Sequence, residues 1–223
     1  MKKKKMLMNI WLCMALCACN NQSDREAVET VCPPDSPQAA LQTLVDGNNR
    51  YISGTCIHPN SDQTRRTETS PHQNPYAAIV SCSDSRVPVE LIFDQGIGDL
   101  FVIRSAGNNT SGKMIMGSIE YAVEHLGVKV LMVLGHESCG GVTSAISHGE
   151  HHGVIGELLH EISKDIPEYI GKENLLNDAI QRHTKVQVEK ILQNPVVAEK
   201  VAQGGLIVKD AYYDIDSGKV QIQ

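Results

Sequence analysis

The sequence predicts an α/β fold: a central, mostly parallel β-sheet flanked by helices, with an N-terminal helical arm and a C-terminal edge hairpin. Three observations predict it. Short apolar runs at residues 77–80, 99–103 and 128–134 have the length and β-branched content of buried strands. Between the second and third run, Ile115, Ile119, Ala122, Val123 and Leu126 recur at helical spacing. Strands that alternate with helices in this way build parallel sheets through crossover connections.

The elements follow in chain order. Lys2 to Lys5 precede an apolar run over residues 6–17 broken by Asn9, too short to span a bilayer comfortably and flanked as a secretory signal is. The stretch Leu16-Cys17-Ala18-Cys19 resembles a lipoprotein lipobox. Residues 1–18 are therefore expected to be a cleaved signal, with Cys19 the lipidated first residue. Residues 19–37, with Pro33, Pro34 and Pro37, read as a tether, and 38–223 as the folded domain. This places the protein at a bacterial cell envelope, held by its lipid and facing the periplasm.

Ser36-Pro37 opens a helix with Ala40, Leu41, Leu44 and Val45 on one face, and glycines 47 and 54 are expected to mark its end and the following turn. Residues 55–74 are polar and irregular, a loop or arm. The strand at 77–80 stops at Cys82. Residues 88–93 read as a short helix started by Pro88. The helix over 114–126 ends at Gly127, and the strand at 128–134 runs into His136. Helices follow at 140–147, 157–170 and 173–192. A last strand at 206–208 leads through a turn at Asp216-Ser217-Gly218 to 220–222, which pairs back as a hairpin.

Composition narrows the function. The formal charge is −6, and loss of the four lysines in residues 1–18 moves it to −10. An acidic domain repels phosphates, which argues against a nucleic-acid partner. Aromatics are 4% of the chain, so the core must come from aliphatic residues. Of seven cysteines, Cys13 and Cys17 leave with the signal, whereas Cys32, Cys56, Cys82 and Cys139 remain where disulfides are permitted.

Two motifs carry chemistry: Cys82-Ser83-Asp84-Ser85-Arg86, and Gly135-His136-Glu137-Ser138-Cys139-Gly140-Gly141. Two thiols and one imidazole are the ligands of a catalytic zinc that keeps its fourth position open. In a parallel sheet, Cys82 and His136 both fall at the carboxyl ends of their strands, where ligands bind. Asp84 can close the fourth position or turn away and accept a hydrogen bond from bound water. Arg86 is placed to hold it away by a charge-assisted pair. Three other readings are a Cys82–Cys139 disulfide, a closed structural zinc site, and a zinc-holding or bicarbonate-sensing protein without activity. The cluster His148-Gly149-Glu150-His151-His152 reads as a solvated loop, with a proton relay or accessory metal site as the alternative.

The paired motifs resemble those of the β-class carbonic anhydrases. The likeness extends through Gly98-Asp99-Leu100-Phe101-Val102-Ile103-Arg104, Ala106-Gly107-Asn108, Ser118-Ile119-Glu120-Tyr121-Ala122 and Tyr213-Asp214, over roughly residues 37–222. It implies one zinc per subunit on Cys82, His136 and Cys139, with Asp84 as a fourth ligand in a closed state only. The implied reaction is the reversible hydration of carbon dioxide to bicarbonate and a proton by zinc-bound hydroxide, with Asp84 and Arg86 as the catalytic dyad. It also implies a substrate pocket from Gln73, Phe101, Ala106, Tyr121 and Gly140, lined in part by a neighbouring subunit. The assembly it implies is a dimer or tetramer in which residues 41–51 form an arm onto the partner. Ile79 stands where some bacterial members carry a tryptophan for inhibitory bicarbonate, so that regulatory site is not expected. Carbonyl sulfide and carbon disulfide are the alternative substrates on such a scaffold.

Overall fold

The computed structural model describes residues 33–147, 149 and 151–223. The expected signal, Cys19 and Cys32 lie outside them, as do His148 and Glu150. Five strands form one sheet: β1 (Ala77–Cys82), β2 (Leu100–Ser105), β3 (Val130–His136), β4 (Ile207–Tyr213) and β5 (Val220–Ile222). Their order is β2-β1-β3-β4-β5, parallel except for β5, which returns antiparallel on β4 at the edge. The expected architecture is therefore the observed one.

Side chains alternate across the central strands, so each strand feeds two cores. Ala77, Ile79, Val130, Met132 and Leu134 face α1 (Pro37–Ser53), together with Phe93 and Ile92 from the segment around α3 (Val89–Ile92). Ala78, Val80, Leu131 and Val133 face α4 (Lys113–Glu120), α7 (Leu176–Leu192) and α8 (Pro195–Ala202). A third cluster caps the carboxyl ends of the strands. There Cys82 and Cys139 pack with apolar residues of α5 (Gly140–Ile146), α6 (Gly153–Asp165) and α7. That cluster positions the site.

Several element boundaries differ from expectation, each for a local reason. Gly47 does not end α1. The helix runs to Ser53 and is capped by Gly54 at φ 69°. Gly47 is small because a Cβ there would stand 1.8 Å from the Phe93 carbonyl oxygen, so it serves close packing rather than termination. The polar stretch 55–74 contains a short helix, α2 (Gln63–Thr69), N-capped by Asp62 and pinned through Arg65, which bonds to Asp99. The helix begun at Lys113 widens into one π-turn over Tyr121–His125. α6 starts at Gly153, four residues before the expected start, and α8 was not expected at all. β4 continues past Val208 through Lys209 and Asp210 because seven residues pair in register with β3. Among the described residues no helix is long and apolar enough to cross a membrane.

Candidate metal centre

β1 and β3 are adjacent and parallel, with Ser81 opposite Leu134, so both motifs emerge at the same sheet edge. Cys82 ends β1 and His136 ends β3, and both are buried. The chain then turns through Ser138, held at φ 52°, and delivers Cys139 at the start of α5. A non-glycine residue in the left-handed region marks a backbone constrained by its surroundings. The donor atoms of Cys82, His136 and Cys139 all lie within 4.8 Å of one another.

The geometry discriminates between the readings of the two cysteines. Their sulfurs are 4.0 Å apart, against about 2.05 Å for a disulfide. Two sulfurs bound tetrahedrally to one zinc at about 2.3 Å each would stand about 3.8 Å apart. His136 Nδ1 lies 2.9 Å from the Glu137 carbonyl oxygen and must donate to it, since that oxygen only accepts. The tautomer is thereby fixed and the lone pair sits on Nε2. That atom is fully buried and has no hydrogen-bond partner among the described residues. A buried acceptor left unmatched is costly unless something binds it.

The thiols are prepared in the same sense. Cys82 is pulled down, first by its contact with the Cys139 thiol and then by His136 and the amides of Asp84 and Gly107, against the effect of burial. Those amides donate to its sulfur at 3.4 and 3.3 Å. Cys139 is pushed up by the contact with Cys82, by burial and by the Cys82 charge. Two negative sulfurs this close repel each other. A dication removes the repulsion and lets both ionise. The donor set, its spacing and the unmatched Nε2 together fit a metal ion.

Asp84 and Arg86 lie beside this set. Arg86 grips the carboxylate with two parallel bonds, Nε to Oδ1 at 3.0 Å and Nη2 to Oδ2 at 2.8 Å, and its backbone amide adds a third to Oδ1. These bonds hold the Asp84 carboxyl well below the usual carboxylate range. Oδ2 stands 3.9 Å from His136 Nε2, beside the donor set. Arg86 also donates to the Ser138 carbonyl at 3.1 Å, which ties the first motif to the second. Arg104, the last residue of the motif begun at Gly98, donates to the carbonyl oxygens of Cys82 and Asp84 and fixes the first loop from the other side.

Of the residues expected to line the substrate pocket, two are near this centre. Ala106 precedes Gly107, whose amide reaches Cys82, and Gly140 opens α5 next to Cys139. The other three are not brought there within one chain. Gln73 is exposed in the loop that leads into β1, whereas Cys82 lies at the other end of that strand. Phe101 pairs with Ala78, near the start of the sheet, and packs against Tyr121 with ring centroids 6.1 Å apart. Tyr121 is exposed.

Comparison with known proteins decides the family. The family model described as carbonic anhydrase matches residues 77–220. Carbonic anhydrase 2 of Mycobacterium tuberculosis is 34% identical over 197 residues, covering 86% of this chain and 95% of that relative. The chain belongs to the β-class carbonic anhydrases. The carbonic anhydrase of Pseudomonas aeruginosa is 35% identical over 193 residues, covering 81% of this chain and 86% of that enzyme. Among solved structures, a tetrameric β-carbonic anhydrase of Sordaria macrospora superimposes with a TM-score of 0.67 at 25% identity, over 82% of this chain and 95% of that one. The reaction of this carbonic anhydrase is the hydration of carbon dioxide, a lyase reaction, and its Cys-His-Cys centre is where a metal fits.

Proposed function

We propose that Cys82, His136 and Cys139 hold one zinc ion per chain, and that Asp84 and Arg86 gate its fourth position during reversible carbon dioxide hydration. The observation that carries the reading is the buried, unpartnered Nε2 of His136 facing two thiols. Two thiolates and a neutral imidazole suit zinc over harder cations. When bound, zinc supplies a Lewis acid that activates water for attack on the substrate carbon.

The chain's own residues do the rest. Asp84 Oδ2 carries one bond from Arg86 and keeps a lone pair to accept a hydrogen bond from the attacking water. That bond orients the water and leaves its other lone pair for the substrate. Released from Arg86, the same carboxylate reaches the fourth ligand position and shuts it. Because Arg86 keeps Asp84 ionised far into acid, the gate turns on competition for that position rather than on protonation of Asp84. Gln73, Phe101 and Tyr121 contribute to substrate binding from a second copy of the chain, which accounts for their distance from their own Cys82. Ala106 and Gly140 contribute from the same chain. Cys19 carries a lipid that holds the domain at the envelope.

Stopped-flow hydration with purified protein tests this reading. Wild type is expected to turn over carbon dioxide with one zinc per chain. Cys139→Ser is expected to lose zinc and activity together, and Asp84→Ala to keep zinc but lose activity. Activity that survives in Cys139→Ser without metal would refute it.

A further inference from the structure

α7 buries an imidazole for which the metal centre has no direct use. His183 is fully buried. Its Nε2 lies 2.9 Å from the Gly107 carbonyl oxygen, and its Nδ1 faces Gln187 Nε2 at 3.3 Å and Asp165 Oδ2 at 3.5 Å. The hydrogen positions follow from a chain of obligations. The Thr110 backbone amide can only donate, and it donates to Gln187 Oε1 at 2.9 Å, with Thr110 Oγ1 on the same atom. The Gln187 amide nitrogen therefore points the other way, to Asp165 Oδ2 at 2.6 Å and to His183 Nδ1. Asp165 has Lys190 at 2.6 Å to balance its charge, and Gln187 Nε2 can only donate to the imidazole. Nδ1 then accepts, and the proton sits on Nε2, aimed at the Gly107 carbonyl.

Gly107 is the partner of that bond. It stands in the left-handed region at φ 66°, and a Cβ on it would meet Ile162 Cδ1 at 2.7 Å. Its own amide points inward and donates to Cys82 Sγ at 3.3 Å. Its carbonyl points outward to His183. One glycine thus carries a bond to the sulfur on one side and a bond to a buried imidazole on the other. If the outer bond is lost, a glycine with wide backbone freedom is free to turn its amide off the sulfur.

We infer that His183 is a positioning residue for the metal centre: by donating to the Gly107 carbonyl it holds the Gly107 amide on Cys82 Sγ, and so sets the charge that sulfur delivers to the metal. Asp165, Gln187 and Lys190 fix the tautomer in which it does so. Outer partners of metal ligands act in this way on affinity and on the acidity of bound water. The inference rests on Cys82 serving as a metal ligand, as proposed above.

The test compares His183→Gln with His183→Met in cobalt-loaded protein. The two side chains differ hardly in volume, but only Gln donates. The readouts are the sulfur-to-cobalt charge-transfer band and cobalt affinity by chelator competition. For His183→Met the band is expected to move and affinity to fall by about 10-fold. For His183→Gln both are expected to return toward wild type. Wild type that takes up no cobalt overturns the metal reading and this inference with it. Uptake with no difference between Met, Gln and wild type overturns the inference alone, as does a Gln variant as impaired as Met. Nitrogen NMR of the wild-type imidazoles decides the matter should the Met variant not fold: His183 is expected to be protonated at Nε2 and bare at Nδ1, and the opposite tautomer refutes the inference.

Discussion

Gly135 lies immediately before His136, and a Cβ placed on it would stand 2.2 Å from Thr184 Oγ1, 3.3 Å from Ile180 Cγ2 and 3.4 Å from Thr184 Cβ. Thr184 is buried and its hydroxyl is committed to the Ile180 carbonyl at 2.8 Å. As a β-branched residue on a helix it has few rotamers to retreat into. Gly135→Ala therefore pushes α7 off the strand that carries His136. Overpacking of this kind costs about 1–3 kcal/mol, or a fall in Tm of roughly 2–12 °C for a domain of this size. A displacement of about 1 Å at His136 lowers turnover by about 100-fold. Thr184→Ala removes the colliding oxygen and leaves the 3.4 Å contact with Cβ of residue 184, which is ordinary, and the 3.3 Å contact with Ile180 Cγ2, which a shift of a few tenths of an ångström relieves. Denaturant unfolding and stopped-flow hydration of both single variants and the double form a thermodynamic cycle. The double variant is expected to be more stable than the sum of the singles by about 1 kcal/mol or more, with part of the activity restored. Strict additivity, or a Gly135→Ala protein as stable and active as wild type, would show that α7 does not set the position of His136.

The remaining predictions concern the dyad, the first helix and a buried carboxylate. Arg86→Ala frees Asp84, which stays ionised at neutral pH with or without its partner. Hydration is expected to fall by about 10- to 100-fold, evenly between pH 6.5 and 8.5, and an unchanged rate contradicts the gate. Gly47→Ala gains about 1 kcal/mol of helix propensity, yet its Cβ would enter the Phe93 carbonyl and displace Asn48 from the Ile92 and Gly218 carbonyls. Denaturant unfolding is expected to show net destabilisation of about 1–3 kcal/mol, and stabilisation would refute the packing argument. Burial opposes ionisation of Asp94, but Arg50 and the amides of Ile57 and His58 outweigh it and hold the carboxyl below its ordinary value. Its contribution to stability is therefore complete above about pH 4 and is lost as pH falls through the lower folded value. Asp94→Asn is expected to flatten the acid side of the stability profile, and an unaltered slope contradicts the assignment.

The parts legible in the sequence were those where one local signal sufficed. The runs ending at Cys82 and His136 are apolar on both faces, so they read as buried strands, and parallel pairing then placed both ligands at one edge. The helix expected over 173–192 is found as α7, shorter by three residues at its start. Failures arose where a neighbour distant in sequence decides the outcome. Gly47 looks like a helix stop until Phe93 is seen against it. α2 is polar on all sides, so it has no periodicity to read, although Asp62 stood as its cap. α8 has a legible start in Asn194-Pro195, cap and first turn, but its eight residues are too few to show a clear period. Phe101 near the start of β2 and Tyr121 in the π-turn after α4 lie away from their own Cys82, and a pocket shared between two copies has no signal in one chain's pattern. His183 and Gln187 lie on the buried side of an amphipathic helix, and nothing near them in sequence points to Gly107 or Thr110.

Zinc-edge X-ray absorption of the purified, active protein tests the central claim most directly. The account predicts one zinc per chain, with two sulfurs at about 2.3 Å, one nitrogen at about 2.0–2.1 Å and a single lighter fourth ligand. Active protein without stoichiometric metal, or with Cys82 and Cys139 joined to each other, would contradict it.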